Sequence, residues 1–296
     1  MSRRASVVCI TNQKGGVGKT TTAVSLAAAL AQLGAATLLV DLDPQGNATT
    51  GVGQRVTEGE ASSYGLLVDG QSVTSAARST EVAKLTIVPS SLDLAGAEVE
   101  LVPAFSREQR LRRALDDARA DYDVILVDCP PSLGLLTINA LVAADQVLVP
   151  IQCEYYALEG LGQLLRTVQL VGDNLNPDLI LLGVVLTMFD ARTNLAQQVV
   201  EEVRDYFGPQ AFTTIIPRTV RLSEAPSFGQ PITVFDPSSR GARAYERLAR
   251  EVAARLTLPV EVPEPSPVDR LRARIDAADD PRDGPATPRD EEEARS

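Results

Sequence analysis

The chain has 296 residues, of which 44% are hydrophobic and 23% charged, and its formal net charge is −11. That length supports one large domain, or two small ones, with a substantial core. No run of eighteen apolar residues is present to span a membrane as a helix, and the absence of histidine excludes histidine-based triads and histidine-ligated zinc, leaving Asp, Glu, Lys and Thr for any chemistry.

The first expected strand is "SVVCITN", Ser6–Asn12. The basic start before it leads through a short apolar run into glycines, so it reads as a strand and not as a signal peptide. "KGGVGKTT" follows, Lys14–Thr21. The backbone amides of Gly15, Gly16, Val17 and Gly18, with the start of the next helix, present N–H groups to phosphate oxygens, and glycine lets the chain curl tightly around the anion. Lys19 would bridge the β and γ phosphates, and the Thr20 hydroxyl would reach Mg²⁺; Thr21 completes the loop. Two features depart from the usual phosphate-loop pattern. Gln13 stands where its first glycine belongs, and Lys14 is a second lysine ahead of the glycines.

Ala23, Leu26, Ala27 and Leu30 fall on one face of a helix over Thr20–Leu33, and Gly34 stops it. The next strand, "ATLLVDLD" (Ala36–Asp43), ends on Asp41 and Asp43. Their i, i+2 spacing points both carboxylates to the same side. With no histidine to activate water, one of the two is the natural group to orient it; a turn built on Asp-Pro and Gly-Asn is the plainer reading. Further strands are expected over Leu85–Ser90, Asp123–Pro130, Gln146–Gln152, Leu179–Phe189 and Phe212–Pro217. Helices are expected over Arg107–Ala120, Leu135–Ala143, Leu158–Val171, Asn194–Phe207 and Arg240–Leu256. Asp128, at the C-terminal tip of "VILVD", sits where ligands bind in open α/β sheets and would hold Mg²⁺ through water. Near-continuous Val/Ile/Leu strands alternating with helices imply an α/β fold, with a mostly parallel central sheet covered by helices on both faces. No repeat of fixed period is present.

Residues 1–258 form the expected domain. Residues 259–296, rich in Pro, Asp, Glu and Arg, read as a disordered tail. That tail carries −5 of the net charge and the domain −6, so a local basic patch remains compatible with the overall sign. Cys9, Cys129 and Cys153 lie far apart beside strand-like sequence and read as buried reduced thiols, which fits the cytoplasm.

Taken together, "KGGVGKTTT", "VDLDPQGNATTG", "VDCPPSLGLLTINAL", "QCEYYALEGL", "TMFDARTNLAQQVVEEV" and "IPRTVRLSEAPSFGQPI" resemble the ParA/Soj family of chromosome- and plasmid-partitioning ATPases, within the ParA/MinD group of deviant-Walker P-loop proteins. The likeness runs from about Ser6 to Leu256 and is nearest the short Soj type. It implies the three-layer P-loop NTPase fold and an Mg²⁺-dependent ATP hydrolase of weak intrinsic activity. It also implies a homodimer when ATP is bound, non-specific binding of double-stranded DNA, stimulation by a ParB-type centromere-binding protein, and a cytoplasmic, nucleoid-associated location. In that family the lysine at the Lys14 place crosses to the phosphates of the other subunit. Such a crossing is chemically sensible, because a second cation neutralises the triphosphate where two subunits meet. The resemblance further assigns hydrolysis to Asp43, coupling of the site to dimer formation to Asp41, and the adenine cradle to Pro217 and Thr219, although relatives often have asparagine at the latter. Gln152–Gly160 resembles an interface segment. Arg192 and Arg221 match the DNA surface, which Arg218, Arg240, Arg243 and Arg247 would enlarge; arginines on phosphates give salt-sensitive binding without base preference.

Other classes fit less well. A MinD-like membrane-recruited ATPase needs a strong amphipathic helix, and "PVDRLRARIDAA" offers only Val268, Leu271 and Ile275. An iron protein of the nitrogenase kind needs exposed cluster cysteines. A dethiobiotin-synthetase-like ligase would share the sheet and loop but not the arginine-bearing blocks. A DNA-binding module without catalysis would differ by lacking ATP turnover.

Overall fold

The computed structural model describes residues 4–57, 59–154 and 159–260. The acidic tail from residue 261 and the centre of the Gln152–Gly160 segment lie outside the described residues, as does the segment considered for a membrane surface. The strands are β1 (Ser6–Ile10), β2 (Thr37–Asp41), β3 (Arg78–Ser79), β4 (Leu85–Val88), β5 (Val124–Asp128), β6 (Gln146–Gln152), β7 (Ile180–Phe189) and β8 (Ala211–Pro217). The helices are α1 (Lys19–Gln32), α2 (Asn47–Gly51), α3 (Ser63–Leu67), α4 (Val73–Ala76), α5 (Leu94–Glu100), α6 (Arg110–Ala118), α7 (Leu135–Ala143), α8 (Glu159–Asn174), α9 (Asn194–Phe207), α10 (Val220–Glu224), α11 (Ile232–Phe235) and α12 (Arg240–Leu256).

Among the described residues the strands form one sheet in the order β3-β4-β2-β5-β1-β6-β7-β8. Every neighbouring pair is parallel except β3 with β4. Alternation along each strand divides the core. Val7, Cys9, Leu38, Val40, Ile125 and Val127 face one layer of helices, and Val8, Ile10, Leu39, Leu126 and Leu148 face the other. The first layer contains α6, α7 and α9; the second contains α1 and α12. The expected three-layer α/β arrangement is the one observed.

The periodicity of α1 understates its burial. The helix is buried on nearly every side from Thr22 to Ala31, because α12 packs over its outer face. Small alanines let the two helices approach, and the Thr22 hydroxyl meets the buried Tyr245 hydroxyl at 3.1 Å. Burial of α1 in this way fixes the loop that precedes it.

The long elements match the expected ones to within a few residues. The helix expected over Arg107–Ala120 opens as a 3₁₀ turn, Arg107–Gln109, and α8 continues to Asn174. The strand expected to reach Asp43 stops at Asp41. Asp43 lies in the following turn, its amide donating to the Asp41 carboxylate at 3.1 Å, and Pro44 has no N–H with which to extend a ladder. Expectation was silent on α2, α3, α4, α5, α10 and α11, each of seven residues or fewer.

Candidate functional site

The parallel register brings the tips of three strands level. Ile10 of β1 and Asp41 of β2 both lie opposite Asp128 of β5. The glycine loop leaves β1 at this row. Gly16 and Gly18 have φ of 76° and 86°, a region open to glycine without steric cost. Asn12 shapes the loop from below: its side-chain amide donates to the Pro150 carbonyl at 2.8 Å, and its oxygen accepts the Lys14 amide at 3.1 Å. Gly18 is the N-cap of α1 and has no side chain with which to cap it, and among the described residues no other side chain caps this helix start. Gly15 and Gly16 have open space on their Cβ side. Such a bare, curled backbone at a buried helix start fits an anion.

Lys19 is buried and its ammonium donates to the Lys14 carbonyl at 3.1 Å. Burial lowers its pKa below the ordinary lysine range, while Asp128, Cys129 and Asp43 oppose the shift. Asp128 is fully buried, and neither of its carboxylate oxygens has a hydrogen-bond partner. Burial pushes its pKa well up and Asp41 adds to the shift, while Thr20, near but not in a formed hydrogen bond, and Lys19 oppose it. An orphaned buried carboxylate is costly. Two unclaimed oxygens with a threonine hydroxyl nearby form a hard, oxygen-rich donor set of the kind Mg²⁺ takes. The expected metal residues, Thr20 and Asp128, are therefore brought together and fit the ion.

The two remaining carboxylates have different surroundings. Asp41 is fully buried and accepts from the Thr49 amide at 2.8 Å, the Thr49 hydroxyl at 2.7 Å and the Asp43 amide at 3.1 Å. Burial still raises it to about 6, against those three bonds. Both its oxygens are engaged within the chain, so it ties α2 to the tip of β2. Among the described residues the Asp43 carboxylate accepts the Gln45 amide, at 2.9 Å, through one oxygen. Of the pair, Asp43 is the one with a carboxylate oxygen available to a ligand.

Lys14 projects outward. Its ammonium pairs with Glu154 at 3.0 Å, and both side chains are well exposed. Pro217 ends β8 and Thr219 caps α10, its hydroxyl oxygen accepting the Leu222 amide. Phe189 of β7 lies opposite Pro217, and the Arg218 amide donates to the Phe189 carbonyl at 2.9 Å. The Arg192 and Arg221 loops therefore leave from adjacent strand ends. Arg192 is held by Asp190 through Nε and Nη2, at 2.9 and 2.6 Å, and this hydrogen bonding holds Asp190 down to about 2. Arg221 pairs with Glu224 at 3.0 Å and Asp236 at 3.4 Å. Arg240, Arg243 and Arg247 are exposed along one face of α12, whose first turn reaches α10 where Leu222 packs on Gly241.

Three supporting residues were missed by sequence reasoning: Asn12, Thr187 and Met188. The Thr187 hydroxyl lies 2.8 Å from the Val17 carbonyl, so β7 supports the glycine loop from the side. Met188, beside Gly18, has a φ of 54°, uncommon for a residue with a side chain. The block "TMF" contained the signal, but nothing in residue type alone points from β7 to the loop.

Comparison with known proteins agrees with this geometry. Residues 5–181 match the family model described as AAA domain. The chain is 59% identical to the sporulation initiation inhibitor protein Soj of Bacillus subtilis, over 84% of this chain and 98% of that one. It is 56% identical to the chromosome partitioning protein ParA of Myxococcus xanthus, over 85% and 89%. Among solved structures it is similar to a cobyrinic acid a,c-diamide synthase from Mycobacterium smegmatis with bound ADP and magnesium. There the TM-score is 0.75, with 39% identity over 88% of this chain and 100% of that one. The sheet order, the glycine loop with its two lysines, and identities above one half to Soj and ParA across nearly their whole length agree: the chain belongs to the ParA/Soj family of chromosome-partitioning ATPases.

Proposed function

We propose that residues 1–258 form an Mg²⁺-dependent ATPase of weak intrinsic activity that pairs through ATP and binds double-stranded DNA without sequence preference while paired. A ParB-type partner stimulates hydrolysis, and hydrolysis releases the DNA. The protein works in the cytoplasm, on the nucleoid. The observation that carries the reading is the buried Lys19 beside the orphaned Asp128 oxygens, next to an uncapped helix start. The solved relative with ADP and magnesium supports the choice of ligand. Its description as a synthase weighs less than the identities above one half to Soj and ParA.

The residues have distinct roles. Amides of Gly15 to Lys19 bind the β-phosphate oxygens, with Thr21 following on α1, and Lys19 holds the β and γ phosphates together. Thr20 and, through water, Asp128 hold Mg²⁺, which when bound neutralises charge developing on the phosphates. Asp43 orients the attacking water. Lys14 reaches the partner subunit's nucleotide, Asp41 holds α2 in register with the site, and Pro217 with Thr219 borders the adenine. Arg192 and Arg221 contact DNA phosphates.

The test measures DNA binding and molecular mass together, with ATP, ADP or no nucleotide. The expected result is a mass doubling and DNA binding with ATP alone. DNA binding by a monomer without nucleotide contradicts the reading. In the same assay Asp43→Ala should keep ATP and the dimer, stop turnover and leave a persistent DNA complex, and normal phosphate release from it moves hydrolysis to another residue. Lys19→Ala should lose ATP altogether, as calorimetry will read.

A further inference from the structure

A cleft of about 260 Å³ separates α1 and α2 from the chain between Leu222 and Ile232. Thr20 and Thr21 line one wall, and Asn47, Thr50 and Gly51 another. Beside this cleft, the backbone just after α2 comes close to the backbone that closes the turn Ala225–Phe228. A Cβ on Gly229 would lie 3.0 Å from the Gly53 Cα and 3.4 Å from the Thr50 carbonyl oxygen, and a Cβ on Gly53 would lie 3.1 Å from the Gly229 oxygen. Both glycines have positive φ, +77° at Gly53 and +65° at Gly229. Neither position accepts a side chain without strain, and neither has space for one.

Each side of this contact leads to a functional element. On one side, Gly53 follows α2, whose Thr49 is bonded twice to Asp41, two residues from Asp43. On the other, Gly229 closes the turn that follows α10, the helix bearing Arg221. Across α10, a Cβ on Gly241 would lie 2.9 Å from the Leu222 side chain. The Arg221–Gly229 stretch is thus confined between Gly53 and the first turn of α12. A side chain can absorb a displacement by changing rotamer, whereas close-packed backbone passes it on.

We infer that the Gly53–Gly229 contact couples the nucleotide loop at Asp41–Asp43 to the setting of Arg221, so that Gly53 and Gly229 are positioning residues for the DNA surface. The inference rests on the function proposed above. Movement of α2 when a nucleotide binds shifts Gly53, and the Ala225–Gly229 turn and α10 shift with it.

The test uses the full chain and a matched control. Gly70 has a φ of +68° with nothing within 4 Å of its Cβ position, so Gly70→Ala carries the backbone strain without the contact. Gly229→Ala should retain ATP binding and ATP-dependent pairing, while the ratio of DNA affinity with ATP to that with ADP falls about tenfold, within the usual range of coupling between sites. Gly70→Ala should keep the wild-type ratio. A wild-type ratio in Gly229→Ala, or an equal fall in both variants, overturns the inference. Amide hydrogen exchange on the unmodified protein decides the matter if Gly229→Ala does not fold. Protection over residues 220–229 should differ between ADP and ATP without DNA present, and identical exchange there overturns the coupling. Should the protein bind DNA in no nucleotide state, the proposed function fails, while the exchange measurement still reads the coupling.

Discussion

At the scale of single residues, the site is built from groups whose partners are either complete or conspicuously missing. Thr49 is the complete case. Its hydroxyl donates to Asp41 and accepts the Ser90 amide at 2.9 Å, joining the loops after β2 and β4. Thr49→Val keeps the shape and removes both bonds. It should destabilise the fold by about 1–3 kcal/mol, since a buried amide and a buried carboxylate each lose a partner, and the measurement is urea denaturation of the nucleotide-free protein. Burial already raises Asp41 to about 6. Loss of the hydroxyl removes an opposing bond, so its pKa rises further. A raised carboxylate contributes stability below its unfolded pKa that is lost as pH climbs through the folded value. As pH rises through and above about 6 the stability of Thr49→Val should therefore go on falling where that of the wild type levels off; identical profiles would mean that Thr49 does not set the Asp41 charge. Asp128 is the opposite case, legible in sequence as an acid ending an apolar strand. The sequence does not reveal that both its oxygens stand unpartnered in the interior, which is what distinguishes a ligand from a strand end.

At the scale of elements, legibility followed length. Helices such as α9, α12 and α7, nine to seventeen residues long, announce themselves because their apolar faces repeat several times. α2 and α10 have five residues each, about one turn and a half at 3.6 residues per turn, too short for a period to show. Yet these two carry the junctions around the site: α2 holds Asp41 through Thr49, and α10 carries Arg221. Arg192 and Arg221 were legible as cations; their carboxylate partners Asp190, Glu224 and Asp236 were not recognised as such. The pairing changes what a substitution should do. Arg192→Glu and Arg221→Glu should each weaken DNA binding and lower the salt slope by roughly 0.9 for every phosphate that is no longer neutralised. Asp190→Asn should do the reverse at low salt, because it removes a negative charge from the surface while Arg192 keeps its own. Binding of two unrelated duplexes over a salt series to the Asp43→Ala dimer checks both. If all three substitutions leave affinity and slope unchanged, the DNA surface lies elsewhere; if the two duplexes respond differently, base contacts are involved.

At the scale of the whole molecule, the sheet gathers the glycine loop, Asp43, Asp128 and the Lys14–Glu154 pair at the C-terminal ends of its central strands, because those strands run parallel. A deviant loop with two lysines needs both to have a destination. Lys19 has one inside its own subunit. Among the described residues the Lys14 ammonium pairs there with Glu154, just past β6, and the bond is exposed on both sides. Exposed ion pairs contribute about 0–1 kcal/mol, so Glu154 would oppose the proposed reach of Lys14 to another subunit's phosphates only weakly. Two substitutions separate these effects. Lys14→Ala should leave ATP binding by the monomer largely intact and abolish the ATP dimer, as light scattering with ATP will show. Glu154→Gln releases Lys14 without removing it, and should tighten ATP-dependent pairing by at most about thirtyfold, the equivalent of about 1 kcal/mol from each of the two subunits. Added salt should shrink that gain, because it screens an exposed pair already. If Lys14→Ala pairs like the wild type, the second lysine serves its own subunit. If Glu154→Gln instead weakens pairing while Lys14→Ala abolishes it, Glu154 presents Lys14 to the partner and does not retain it.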